Sequence, residues 1–159
     1  MAHRAPGFLV WPWLCWLLSA NAAGVPTDFA DKLEAALLCR SEWSPNFWRD
    51  YFNTHLGKPV RTWGQANWYP SQGAQLGGVS TQEVFVETPD SPALMVGTLI
   101  PQPLESVLKT LQDNLKVQFQ PVQTPDGTRY RSQSGSVLVG QTNQQTKWYC
   151  ARWNTGNRP

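Results

Sequence analysis

The chain predicts an α+β fold in which an N-terminal pair of helices and a later helix pack on an antiparallel sheet. Three observations carry this expectation. Apolar residues recur at helical spacing in two early segments and one later segment. Short runs rich in Val, Thr, Trp and Tyr lie between and after them, bounded by Gly, Pro, Asn and Asp. The order helix-then-strands occurs twice, which is the trace a duplicated αβ unit would leave, although the residues of the two halves do not repeat.

Residues 1–22 are set apart. His3 and Arg4 give a basic start, an apolar run extends from Phe8 to Leu18, and Ala20-Asn21-Ala22 has the small-x-small pattern of a cleavage site. This is the layout of a secretory signal peptide. The apolar run is short for a membrane span and is interrupted by Pro12. Cys15 lacks the small preceding residues of a lipidated cysteine. The expected organisation is therefore a signal peptide at 1–22, a single α+β domain at 23–153 and a loose tail at 154–159. Localisation is expected to be periplasmic or secreted.

Removing that segment leaves 137 of the 159 residues, enough for one domain with a real core. Arg4 goes with it, leaving twelve basic residues against eleven acidic ones and a net charge of +1. A near-neutral total gives no electrostatic reason to bind nucleic acid or anionic lipid. No second apolar run approaches membrane length. Two cysteines remain, Cys39 and Cys150, and two thiols in an oxidising compartment usually pair. Their loop of 111 residues is worth about 4–5 kcal/mol in the chain-entropy model.

The first helix starts at a Thr27 cap, with Asp28 and Asp31 near its positive end. Phe29, Leu33, Ala36 and Leu37 form its apolar face, and Cys39 falls in its last turn. The second starts at Ser44 with Pro45 in the first helical position and ends at Gly57 before Pro59. Its stripe is aromatic: Phe47, Trp48, Tyr51 and Phe52, followed by Leu56. Strands are expected over 60–63, 66–69, 83–87 and 93–100, with a Gly- and Gln-rich loop over 70–79. The third helix begins after Pro101, with Pro103 near its first turn, and carries Leu104, Val107, Leu108, Leu111 and Leu115. After a turn at Asp126-Gly127, residues 128–132 and 136–140 pair across Gln133-Ser134-Gly135, and 147–153 is the last strand. Phe47, Tyr51 or Phe52, Leu56, Val96, Leu104, Val107, Leu108 and Leu111 are expected in one core. This order of elements is similar to that of small secreted inhibitor and envelope-assembly modules of the β-lactamase-inhibitor type, a likeness of element order with no shared motif.

No catalytic, cofactor or metal motif is found. His55 is the one histidine after residue 22, too few for a zinc site once the cysteines pair. No G-x-S-x-G, P-loop or G-x-G-x-x-G occurs. Glu83 and Glu87 alternate with Val84 and Val86, the pattern of a solvated strand face rather than a glycosidase pair. Two features suit binding. Arg129, Tyr130 and Arg131 are expected at a hairpin tip beside Ser134-Gly135-Ser136. Trp63 and Trp68 belong to an aromatic set with Tyr69, Trp148, Tyr149 and Trp153, part of which should face outward. The expectation is a non-enzymatic protein-binding module without cofactor, such as an inhibitor, immunity or envelope-machinery accessory protein. Its partner would be another protein of the periplasm or cell envelope, with no nucleic acid involved. The alternatives are a cell-wall or glycan-active hydrolase using carboxylates and a structural subunit of a secretion or conjugation apparatus.

Overall fold

A computed structural model describes residues 25–41 and 46–153. The expected signal segment, the Ser44-Pro45 cap and the tail at 154–159 lie outside the described residues. In chain order the elements are α1 (Phe29–Leu37), α2 (Phe47–His55), β1 (Arg61–Trp63), β2 (Ala66–Pro70), β3 (Gln75–Leu76), β4 (Val79–Ser80), β5 (Glu83–Glu87) and β6 (Ala93–Ile100). Then follow α3 (Leu104–Leu115), β7 (Phe119–Thr124), β8 (Gly127–Ser132), β9 (Ser136–Gly140) and β10 (Thr146–Trp153). Three helices on an antiparallel sheet make the fold α+β.

Eight strands form one sheet in the order β1-β2-β5-β6-β10-β9-β8-β7, every pair antiparallel. Each half is a four-stranded set led by helix: α1 and α2 precede β1, β2, β5 and β6, and α3 precedes β7 to β10. The halves join through their last strands, β6 and β10, along the register Cys150 to Val96 and Tyr149 to Gly97. The twofold helix-then-strands order is thus carried by topology rather than by residues.

Side chains alternate across a strand, so each strand supplies two faces. Tyr69, Val84, Val86, Val96, Ile100, Leu138 and Trp148 face the helices, where they meet Phe29, Leu33, Leu37, Trp48, Phe52, Val107 and Leu111. All of these are essentially inaccessible to solvent. Phe52 links the layers, with ring centroids 6.2 Å from Phe29 and 5.3 Å from Tyr69. The one polar atom of Trp148 is satisfied inside this core: its Nε1–H donates to Ser136 Oγ at 2.7 Å. Cys39 and Cys150 are joined in a disulfide, with Cα atoms 5.4 Å apart. The bond ties the end of α1 to the strand at the sheet centre.

Several expectations change. Asp28, not Thr27, holds the N-cap position of α1 and pairs its carboxylate with Lys32 instead of capping. Cys39 lies just past the helix, in a left-handed conformation. Phe47 is 41% exposed rather than in the core. On a nine-residue helix Trp48 and Phe52 fill the inward face, and Phe47 instead packs edge-on to Trp48 and stacks on Tyr51. The segment 70–79 is not a plain loop. It carries a miniature hairpin, β3 with β4, whose Leu76 and Val79 are buried. Its turn is pinned on both sides: Gly77 N–H donates to Glu34 at 2.7 Å, and Asn114 donates to Gly77 C=O at 3.0 Å. Strand β7 has no counterpart in the sequence reading.

Candidate functional site

Among the described residues no helix packs on the second sheet face, which carries its own apolar cluster of Ala66, Trp68, Phe85, Leu99 and Tyr149, flanked by Met95, Val137 and Val139. The register sets these side chains in a row. Arg61 pairs with Trp68, Trp68 with Phe85, Phe85 with Gly97, Gly97 with Tyr149, and Tyr149 with Val137. Arg131 extends the row beyond Val137. The next row places Leu99 opposite Lys147 and Lys147 opposite Val139.

Aromatic rings and cations interleave along this face. The Arg61 guanidinium lies 4.2 Å from the Trp68 ring centroid and 6.0 Å from that of Trp63. Its Nη2 donates to Glu83 at 2.6 Å. Lys147 Nζ lies 4.5 Å from the Phe85 centroid, 5.5 Å from Tyr149 and 5.7 Å from Trp68. Such contacts favour a cation over a ring face. Burial against these rings, with the Arg129 charge added, holds the Lys147 ammonium below the ordinary lysine range. Arg129 donates to Asp126 at 3.1 Å and to the Tyr149 hydroxyl at 3.4 Å.

Two adjoining grooves run over this face, with volumes of about 440 Å³ and 400 Å³. Arg129 and Tyr149 line both, so the grooves meet at that pair. The first is bordered by Arg61, Trp63 and Lys147 and by the polar β9–β10 turn with Gln141 and Asn143. The second is lined by the aliphatic side chains of Met95, Val122 and Val137 together with three arginines, Arg129, Arg131 and Arg152.

The expected site residues separate on this geometry. Arg129 and Arg131 reach the open face, but they sit mid-strand in β8, paired to Val122 and Gln120 of β7, not at a hairpin tip. Tyr130, between them, points to the helix side and packs against the main core. The sequence reading lacked β7, and that strand converts the presumed tip into sheet interior. Trp63 is 63% exposed on the edge strand, whereas Trp68 is 2% exposed beneath Arg61 and beside Phe85. Lys147 was missed. Its signal was available, since it alternates with Trp148 in a strand and so must face away from the core.

Glu87 is also corrected. It is 1% exposed rather than solvated, accepting from Met95 N–H at 2.7 Å and from Arg49 at 3.2 Å. Burial pushes its carboxyl above the ordinary glutamate range. Glu83 is committed to Arg61, and neither carboxylate lines the grooves. His55 lies at the end of α2, its ring 4.5 Å from that of Tyr51. Among the described residues, no three His, Cys, Asp or Glu side chains gather as a metal site would need, and no helix is long and apolar enough to cross a membrane. No family model matches the chain, and neither does any curated protein or solved structure.

Proposed function

We propose that this chain is an exported, non-enzymatic binding module that docks a protein partner on the open face of its sheet, as an inhibitor, immunity or accessory protein of the bacterial envelope would. One observation carries the reading: a sheet face that no helix covers among the described residues, on which aromatic rings and cations interleave along two connected grooves. Such a face would ordinarily be polar to suit water. Here it holds a second apolar cluster with Trp63 exposed at its edge. Aromatic and Arg side chains are the residues that dominate interface energetics. Export is supported by the leader-like layout of 1–22 together with the Cys39–Cys150 bond, which suits an oxidising compartment.

The experiment is affinity capture from an envelope extract with three tagged forms. These are the wild type, an open-face double variant (Trp63→Ala with Arg131→Ala) and a helix-side control (Lys109→Ala). The expected result is one defined protein recovered with wild type and control and lost with the double variant. Equal recovery by the double variant would remove the open face from the reading.

A further inference from the structure

We propose that the groove between β1 and the β9–β10 turn is a carboxylate subsite, in which an acidic side chain of the docked protein meets Lys147 between Arg61 and Arg129. This rests on the open face being the docking surface and specifies the chemistry of what docks there.

The argument begins with the hydrogen-bonding capacity of an ammonium. Lys147 Nζ carries three N–H donors, and rings attract its charge without accepting those donors as an oxygen would. Phe85, Tyr149 and Trp68 approach it within 4.5 to 5.7 Å. Among the described residues no carboxylate pairs with it; the two nearby candidates are already engaged, Glu83 with Arg61 and Asp126 with Arg129. The groove therefore presents one uncompensated cation flanked by two guanidinium groups whose charges are balanced. A partner carboxylate entering there would supply the missing acceptor, in surroundings partly shielded from water where a charge-assisted bond is stronger.

The rest of the face favours a peptide segment over an acidic glycan. Sugar stacking needs open ring faces, yet Trp68 and Phe85 are 2% and 0% exposed and spend their faces on Lys147 and Arg61. Among the described side chains of this face, Trp63 is the one ring that stands open. The adjoining groove sets Met95, Val122 and Val137, which suit aliphatic side chains, among Arg129, Arg131 and Arg152, which suit further carboxylates. The occupant is thus a segment in which acidic and aliphatic residues alternate.

The test is an NMR titration of the chain without residues 1–22, read at the ¹⁵N-labelled indoles of Trp63 and Trp68. The probes are acetyl-Gly-Glu-Leu-Glu-Gly-amide, its glutamine counterpart and a galacturonic acid trisaccharide. The glutamate peptide should shift both indoles saturably. Affinity should fall about tenfold or more for the glutamine peptide, and for the glutamate peptide with Lys147→Met or Arg129→Gln, as loss of a desolvated charge contact predicts. Lys147→Met keeps chain length among the same rings; should it fail to fold, Arg129→Gln and the glutamine peptide still decide. Equal binding of the two peptides, undiminished binding by both variants, absence of any shift, or preference for the trisaccharide would each overturn the proposal. Capture separates the two levels. If Trp63→Ala with Arg131→Ala loses the partner while Lys147→Met and Arg129→Gln keep it, the docking face stands and the carboxylate subsite falls. If all of them keep it, both fall.

Discussion

The ring of Phe85 occupies the space in which Gly97 would carry a β-carbon. The two residues are cross-strand partners on the open face, and a Cβ built on Gly97 would lie 2.0 Å from Phe85 Cζ. The absence of a side chain at Gly97 lets the ring lie flat across the neighbouring strand, where it forms part of the surface beneath Lys147. Covering a strand glycine with a cross-strand aromatic ring is a known way to recover its missing packing.

Gly97→Ala should therefore be costly although alanine is small. The ring must swing away from a position where it is fully buried. Overpacking of this kind costs about 1–3 kcal/mol. Equilibrium denaturation should show a lower midpoint, and Phe85→Leu in the Gly97→Ala background should recover part of the loss. Additive losses in that double-mutant cycle would show that the two positions do not compete for space.

The third helix supplies a graded comparison. Leu111 is fully buried, whereas Leu108, one turn away in the same stripe, is partly exposed. Leu111→Ala should cost about 2–5 kcal/mol. Leu108→Ala should cost clearly less, because part of its side chain is already in water. Unfolding midpoints that reverse this order would place the other face of α3 against the sheet.

These comparisons mark how far the sequence reaches. Periodicity located all three helices and named the buried face of α1 residue for residue, because a 3.6-residue repeat over several turns is a redundant signal. It overstated Phe47, since an aromatic stripe wider than the contact must leave one ring outside. Strand β7 escaped because Gln-Pro-Val-Gln-Thr is polar and contains Pro121, as an edge strand can tolerate. That one omission left Arg129 and Arg131 at an apparent tip instead of in the sheet interior and concealed the groove they border. Net charge misled in a related way. A total of +2, or +1 without residues 1–22, hides a face where Arg61, Arg129, Arg131 and Lys147 collect, because charge segregation is a property of topology.

The disulfide supports its own prediction. Cys39 and Cys150 lie 111 residues apart, and their bond fastens α1 to the central strand β10. Replacing both with Ala should cost about 2–5 kcal/mol, mainly by freeing the unfolded chain. In protein lacking residues 1–22 and purified without reductant, iodoacetamide should label neither cysteine, and both after reduction and unfolding. Labelling before reduction would show that the thiols are free in the protein as made.

Glu87 gives a pH dependence whose sign is determined. Burial raises its carboxyl above the ordinary value of 4.5, outweighing the Met95 N–H and Arg49, which pull the other way. The folded chain therefore holds a proton at pH values where an unfolded glutamate has lost it. By linkage, stability from this group is fully present below the ordinary value and declines as pH rises through the raised one. Glu87→Gln removes the titration while keeping an acceptor for Met95 N–H. The unfolding free energy of wild type minus that of Glu87→Gln should thus fall as pH is raised from about 4 to about 7. Glu87→Ala should be the more damaging change near neutrality, because it strips both the acceptor and the partner of a largely buried arginine, a loss of about 3–5 kcal/mol where such a pair is fully buried. A difference that rises with pH instead would mean that Arg49 and the backbone donor outweigh burial, and that the pair stabilises the ionised form.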